Sequence, residues 1–203
     1  VLNLFERLVF SILKIKKIVF IILLFPLFTT AQTNDCMYEV EEKTDSTSLK
    51  ILPEVLIDEK IFGHTNEYLF FSLLNTDGVP MLELQLLQKS KDFIPTKCIN
   101  KTSKIIVQLK NGKIVSLLAN LEESCSVLNY DEKENNNIRV LTGYFFFGKT
   151  NYEELKNSPI MLMRIQFSGD SKDYVLKNEL NSETLKTKSN PDRYFMDYLK
   201  CIE

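Results

Sequence analysis

The sequence predicts a mainly β fold of the β-rich α+β class. We expect an antiparallel sheet or sandwich with one short internal helix and a carboxy-terminal helix packed on it. Short β-branched and aromatic runs separated by turn residues fill most of the chain after residue 36, which is typical of antiparallel strands. An Asn111-Gly112 pair between two such runs is the strongest short-range signal for a β-hairpin. Helical patterns occur in only two short segments, so the sheet is expected to dominate.

Strands are predicted where apolar residues run continuously or alternate with polar ones. Residues 68–74 are mostly apolar and aromatic, as in a strand buried on both faces. A turn at residues 75–80 joins this strand to the alternating segment 82–87, which completes a hairpin. The other predicted strands are residues 38–42, 49–61, 138–147, 160–167 and 174–176.

The hairpin around Asn111-Gly112 also predicts a register. A two-residue turn makes Lys110 face Lys113, so the numbers of facing residues in strands 105–110 and 113–118 sum to 223. The numbers of Cys98 and Cys125 have the same sum. The two cysteines are therefore expected at the same level, at the open end of the hairpin.

Capping signals predict two helices. Thr150 or Asn151 suits the amino-terminal cap of a short helix that ends at Lys156. Asn190 and Pro191 suit the start of the last helix. The apolar face of that helix is expected to contain Phe195, Tyr198, Leu199 and Ile202.

Residues 1–31 follow the order basic, apolar, small, which is typical of a secretory signal peptide. A basic cluster at 14–17 precedes eleven apolar residues, 18–28, and small residues precede a cleavage site after Ala31. Eleven helical residues rise about 17 Å, against roughly 30 Å of membrane hydrocarbon. A cleaved signal is therefore favoured over an uncleaved anchor. The mature chain is expected to begin near Gln32 and to have no stable membrane span.

The segment before this signal is longer than a signal needs. Residues 1–12 begin with Val1, so the start codon is interpreted as either non-standard or misassigned. Lipidation of Cys36 is disfavoured because Asp35 stands directly before it, where lipoprotein signals carry a small residue. Residues 36–203 are expected to form a single β-rich domain, located in the periplasm or secreted.

Composition excludes several classes of protein. A hydrophobic content of 44% is too high for a disordered chain. Removal of residues 1–31 leaves 21 basic and 26 acidic side chains, and this net charge of −5 disfavours a nucleic-acid partner. One histidine and four cysteines make most zinc-site spacings impossible, and no phosphate loop or dinucleotide fingerprint occurs. No catalytic, cofactor-binding or metal-binding residue is therefore predicted, and no cofactor is expected.

All four cysteines lie in the exported part, and an even number in an oxidising compartment predicts two disulfides. The shared hairpin level favours Cys98–Cys125, and elimination leaves Cys36–Cys201. The predicted register makes Cys98 and Cys125 a hydrogen-bonded pair with widely spaced side chains, so a bulge is expected at residues 100–103. The alternative is four free buried thiols.

Three features suggest a function, and each also has a simpler structural explanation. His64 is interpreted as a turn residue, because no cysteine or carboxylate stands at ligand spacing from it. The acidic run 131–137 lacks the glycine and terminal glutamate of a calcium loop, so a solvated loop is favoured over a weak cation site. The aromatic run 144–147 fits a central strand covered on both faces, with a partly exposed patch for a partner as the alternative.

Three segments resemble small exported proteins of flavobacteria and related Bacteroidota. They are the Thr-Thr-Ala-Gln at residues 29–32, residues 152–166 around Ser158-Pro159-Ile160, and the closing residues 194–202. That group has no assigned activity, so the resemblance implies an exported location and no mechanism.

The function that these observations favour is a non-enzymatic exported β domain that binds a protein or a cell-envelope component. The alternative is a periplasmic hydrolase of polysaccharide or peptide whose site no motif reveals. A pocket that holds a carboxylate with a raised pKa, or His64 paired with an acid, would favour the enzyme. A flat surface with an apolar patch would favour binding.

Overall fold

The β-branched and aromatic runs form fifteen strands among the residues that the structure describes. This computed structural model describes residues 36–120 and 122–203, so the predicted signal peptide and its start lie outside the described residues. The strands are β1 (Val40–Lys43), β2 (Ser48–Ile51), β3 (Val55–Phe62), β4 (Thr65–Thr76), β5 (Val79–Ser90), β6 (Cys98–Ile99), β7 (Lys104–Leu109), β8 (Ile114–Ala119), β9 (Ser124–Cys125), β10 (Val127–Asp131), β11 (Asn136–Phe146), β12 (Ile160–Gln166), β13 (Ser171–Val175), β14 (Leu180–Ser182) and β15 (Thr187–Ser189). The helices are α1 (Lys149–Asn157) and α2 (Tyr194–Tyr198), and 3₁₀ turns at Pro191–Arg193 and Leu199–Ile202 flank α2.

Three long strands form the centre of an eleven-stranded antiparallel sheet. β4 and β5 pair over twelve residues, and β5 and β11 pair over ten. The sheet order is β1-β2-β4-β5-β11-β8-β7-β12-β13, with β3 beside β4 and β10 beside β11. The short ladders β14–β15 and β6–β9 lie outside this sheet. The predicted mainly β class, with antiparallel pairing and a carboxy-terminal helix, is confirmed.

The sheet curves around one hydrophobic core. Phe71 on β4 and Val107 on β7 are buried in the same cluster, although three strands separate β4 from β7 in the sheet. Lys172 on β13 forms an ion pair with Glu67 on β4, which joins strands that lie six places apart in the sheet order. The opposite parts of the sheet therefore meet through side chains, while the hydrogen-bonded ladder of the described strands stays open.

The β7–β8 hairpin forms around Asn111-Gly112, but its turn differs from the predicted one. The Leu109 N–H donates to the Lys113 carbonyl at 2.9 Å, and the Gly112 N–H donates to the Leu109 carbonyl at 3.0 Å. Gly112 alone in this loop has a left-handed backbone, with φ of +84°. This is a three-residue loop that ends in a glycine bulge, so facing residues sum to 222, as in Ile105–Leu117. The predicted register was wrong by one residue.

Cys98 and Cys125 nevertheless face each other, as predicted. The irregular segment before β7 shifts the register by one residue, from a sum of 222 to a sum of 223. A turn closes at residues 100–103, where the Ser103 N–H donates to the Asn100 carbonyl at 2.9 Å. The Ser126 N–H donates to the Lys97 carbonyl at 2.8 Å, which makes the adjacent cysteines a non-hydrogen-bonded pair. The irregular turn at residues 100–103, where a bulge was expected, therefore replaces the hydrogen-bonded pairing that an unbroken hairpin would give. Their Cα atoms lie 4.0 Å apart.

Both predicted disulfides, Cys98–Cys125 and Cys36–Cys201, are present, and no described cysteine is free. Cys201 is buried, and the Tyr38 hydroxyl donates to its carbonyl at 2.8 Å. Two disulfides are typical of a protein that folds in an oxidising compartment outside the cytoplasm. No helix within residues 36–120 and 122–203 is long and apolar enough to cross a membrane.

The carboxy-terminal segment packs on the sheet, but not as one regular helix. Phe195, Leu199 and Ile202 are buried as predicted, whereas Tyr198 is 38% exposed and Tyr194 is buried instead. The 3₁₀ turns on both sides of α2 explain the difference. They complete a turn in about 3.0 residues rather than 3.6, which changes the residues that face the sheet. The side chain of Asn190 accepts no capping hydrogen bond from this segment.

Helix α1 begins two or three residues earlier than predicted, after Gly148 at its cap position. Asn151 does not cap it by a side-chain bond. Its Nδ2 instead donates to the carbonyl of Ser116 on β8, at 2.8 Å. The predicted cap residue therefore anchors the helix to the sheet.

Phe195→Ala is expected to lower the free energy of unfolding by about 3–5 kcal/mol, because it removes a fully buried ring. The Phe195 ring stacks on Phe71 at 6.3 Å between centroids and meets Phe147 edge-on at 5.9 Å. Tyr198→Ala is the matched control and should lower the free energy of unfolding by clearly less, because Tyr198 is partly exposed. Denaturant unfolding of the oxidised protein measures both losses, and equal losses would contradict docking through Phe195.

Candidate functional sites

A gap in the sheet lies along one edge of β11. On that edge β11 pairs with β10 at one end and with β8 at Phe145 and Phe146. Between these contacts, residues 141–144 pair with β5 on the opposite edge but with none of the described strands on this edge. The connection between β8 and β10 crosses the gap, where the Asn120 N–H donates to the Tyr144 carbonyl at 2.9 Å. The Ser124 hydroxyl donates to the Thr142 carbonyl at 2.8 Å, so two hydrogen bonds attach the crossing segment to β11.

This gap forms a groove with a volume of about 600 Å³. Gly143 lies at its base, and a Cβ at that position would stand 2.4 Å from Cδ1 of Ile99. A larger residue at position 143 would therefore require the Ile99 side chain to move. The residues that line the groove are Glu83, Ile99, Asn120, Glu122, Glu123, Ser124, Thr142, Gly143 and Tyr144.

Glu83 and Tyr144 form a polar pair in the groove. They face each other across β5 and β11, so each side chain affects the pKa of the other. Partial burial raises the pKa of Glu83, the charge of Glu54 raises it further, and the hydrogen bond from Tyr144 opposes both effects. Burial followed by the charge of Glu83 raises the pKa of Tyr144, so the hydroxyl stays a donor at neutral pH.

A second glutamate extends this acidic surface beside the groove. Burial raises the pKa of Glu54, and the charge of Glu39 adds to the shift. Gln85, two residues after Glu83 on the same face of β5, donates from Nε2 to Glu54 at 2.8 Å. Carboxylates beside an exposed aromatic ring can accept hydrogen bonds from hydroxyl groups or bind cationic groups.

A second candidate surface lies at one end of the central strands. Phe62 pairs with Thr65, Thr65 with Ser90, Ser90 with Asn137, and Asn137 with Tyr130. These five paired residues form one row across β3, β4, β5, β11 and β10. The row spans about 19 Å at the usual strand spacing. Phe62 is 87% exposed and Tyr130 is 58% exposed at its two ends.

Phe93 adds a third aromatic ring at this end. It is 77% exposed, in the loop that follows β5. The Asp92 N–H donates to the Ser90 hydroxyl at 3.1 Å, and Nδ2 of Asn137 donates to the Asp92 carbonyl at 3.1 Å. Next along the chain, the carbonyl of the buried Ile94 accepts from Nε of Arg139 at 2.6 Å. These hydrogen bonds fix the loop at Asp92 and at Ile94, on both sides of Phe93, and the Phe93 side chain is exposed to solvent. We call the exposed set Phe62, Phe93 and Tyr130 the aromatic end.

The structure places the sequence-predicted candidates as follows. His64 is exposed in the turn between β3 and β4, beside Phe62. In the acidic run, one carboxylate oxygen of Asp131 accepts from the Lys133 N–H at 3.0 Å, which closes the turn into β11. Glu134 forms an ion pair with Lys89.

Two features of the candidate sites were not predicted from the sequence. Glu83 lies in a regular strand of alternating leucines, so nothing local marks it. The aromatic end depends on register between strands, and β10 was not predicted because its side chains are almost all exposed and do not alternate. In the run 144–147, Phe145 is buried while Tyr144 is 40% exposed and lines the groove.

No protein-family model, no curated protein and no solved structure gives a significant match to this chain.

Glu83→Gln is expected to raise stability at neutral pH. A carboxyl group with a raised pKa in the folded state loses stability as pH rises above its ordinary value of 4.5 and through the raised value. The amide resembles the protonated acid, so the variant should have a flatter stability profile across that range. Unfolding midpoints measured from pH 4 to pH 8 test this.

Tyr144→Phe is expected to change the pH dependence of stability in the opposite direction. It removes the hydrogen bond that lowers the pKa of Glu83, so the loss of stability with rising pH should become larger. Parallel profiles for the wild type and both variants would contradict the assigned electrostatics.

Proposed function

We propose that this chain is an exported, non-enzymatic β domain, periplasmic or secreted, that binds a protein or a cell-envelope component through the aromatic end. The observation that carries the proposal is the exposure of Phe62 on β3, Phe93 in the loop after β5 and Tyr130 on β10, at one end of the sheet. Exposed clusters of large apolar side chains are a common feature of interaction surfaces.

The rigidity of this surface supports binding. Phe62 and Tyr130 stand on strands that are fixed by the paired row, and the loop of Phe93 is fixed by three hydrogen bonds. Binding to side chains already held in place costs less conformational entropy than ordering a mobile loop. Aromatic residues are also enriched among the residues that contribute most to interfaces.

The export part of the proposal is supported by the disulfides and by the signal-like residues 1–31. The resemblance to small exported proteins of flavobacteria and related Bacteroidota is consistent with this location. A net charge of −5 for residues 32–203 repels phosphate backbones, which favours a protein or envelope component over nucleic acid.

Site-specific photocrosslinking in cells of the natural source tests the binding surface. A photoreactive phenylalanine analogue at position 93 should give a discrete crosslinked species. The same analogue at Val175, which is 73% exposed on the edge strand β13, is the matched control and should give none. Equal products from both positions, or no product from position 93, would contradict the proposal.

Purified components separate the two classes of partner. Wild-type protein and a Phe62→Ser/Phe93→Ser variant are sedimented with peptidoglycan sacculi and with vesicles of envelope lipid. Loss of sedimentation in the variant would identify an envelope component. A protein crosslink at position 93 without sedimentation would identify a protein partner.

A hydrolase of polysaccharide or peptide is the second candidate, favoured by the raised pKa of Glu83 beside the Tyr144 hydroxyl in an open groove. A glutamic acid with a raised pKa can serve as a general acid. Solubilisation of peptidoglycan or casein that is lost in Glu83→Gln, and kept in Glu122→Gln, would support this candidate over the binding domain.

A further inference from the structure

A disulfide and a carboxylate lie in close contact beside the groove, next to the lining residues Ile99 and Ser124. Cys98 and Cys125 face each other in the β6–β9 ladder, and Glu123 stands two residues before Cys125. Both sulfur atoms and a carboxylate oxygen of Glu123 lie within 4.8 Å of one another. Cys125 and Glu123 are exposed and Cys98 is half-buried, so this cluster opens to solvent.

The chemistry of this cluster depends on its oxidation state. A disulfide sulfur is a poor metal ligand, whereas a thiolate is a strong one. An external dithiol can reduce the bond by thiol–disulfide exchange. The dithiol gives up two electrons and two protons and becomes a disulfide itself, while Cys98 and Cys125 each gain a hydrogen. Binding of a divalent cation then releases the two thiol protons to solvent.

We propose that reduction of Cys98–Cys125 creates a zinc site formed by the two thiolates and the Glu123 carboxylate. Two sulfur ligands and one oxygen ligand suit a borderline-soft cation such as Zn²⁺ rather than Ca²⁺ or Mg²⁺. The fourth ligand of the tetrahedron is left to solvent, because Cys125 and Glu123 are exposed. The site is separate from the aromatic end, so it goes beyond the proposed function.

The required geometry is accessible from the oxidised structure. Zn–S bonds of about 2.3 Å in a tetrahedron place the two sulfur atoms roughly 3.8 Å apart. Sulfur atoms on facing residues of an antiparallel pair reach that separation by side-chain rotation once the covalent bond is broken, because the two Cα atoms lie only 4.0 Å apart. The ladder itself is held by the bond from the Ser126 N–H to the Lys97 carbonyl, which does not involve the sulfurs.

The second disulfide provides an internal contrast. Cys201 is 5% exposed and Cys36 is half-buried, whereas Cys125 is exposed, and Cys36–Cys201 belongs to no comparable group of ligands among the described residues. A dithiol reaches a sulfur only when that sulfur is accessible, so limited reduction should open Cys98–Cys125 first. The Cys36–Cys201 bond then keeps the chain ends joined while zinc binds.

The first test is selective reduction of the purified exported protein, followed by alkylation and peptide mapping. Limited treatment with dithiothreitol should label Cys98 and Cys125 before Cys36 and Cys201. Reduction of both disulfides at the same rate, or of Cys36–Cys201 first, would overturn the proposal.

The second test is a zinc titration of the selectively reduced protein, without oxygen and against a competing chromophoric chelator. One equivalent of Zn²⁺ should bind per reduced chain and none should bind per oxidised chain. Bound Co²⁺ should show thiolate-to-metal charge-transfer absorption. Zinc uptake that does not depend on reduction, or no uptake after reduction, would overturn the proposal.

Glu123→Gln and Glu122→Gln form a matched pair of variants that leave all four cysteines in place. Glu123→Gln should weaken zinc binding by at least about tenfold, and Glu122→Gln should leave the affinity unchanged. Equal affinities in the two variants would overturn the role of Glu123. A Cys98→Ser/Cys125→Ser variant should take up no zinc, and its circular dichroism shows whether it is folded. If it is not folded, the two glutamate variants still decide the question.

Discussion

The in-register pairing of β4, β5 and β11 is the constraint on which the rest of the structure depends. β4 and β5 pair over twelve residues, and β5 and β11 pair over ten. A shift of one residue in this register would move every buried side chain of the shifted strand to the other face of the sheet. β11 is also longer than either neighbour on its far edge, so a gap remains between β10 and β8. The groove occupies this gap, and the aromatic end lies where the same strands begin or finish together.

The two disulfides fix parts of the chain that this pairing does not reach. Cys36–Cys201 joins residues 165 positions apart and holds the first described residue against the carboxy-terminal segment. Cys98–Cys125 spans only 27 positions and holds the wall of the groove beside Gly143. The first disulfide therefore supports the whole domain, while the second shapes a local surface. This difference lets one bond be opened without releasing the other.

Most of the core strands could be predicted from the sequence, because their apolar residues alternate or run together. The disulfide pairing was also predicted, although the Asn111-Gly112 turn was assigned one residue too short. That error arose because a three-residue loop with a bulge and a two-residue turn both favour glycine after asparagine. The candidate sites were not predicted. The pKa of Glu83 is raised by burial and by charges that the fold brings near it. Phe93 is exposed because its loop is fixed by Asn137 and Arg139. These contacts join residues far apart in the chain, so the sequence around Glu83 and Phe93 does not reveal them.

Amide hydrogen exchange along β11 tests the unpaired gap most directly. The carbonyls of Thr142 and Tyr144 point into the gap, where they accept from Ser124 and Asn120, and in a β-strand the N–H of a residue points to the same side. The amides of Thr142 and Tyr144 should therefore exchange at least about a hundredfold faster than those of Leu141 and Gly143, which point toward β5. Equal protection of all four amides would show that a strand covers this edge, and would contradict the groove.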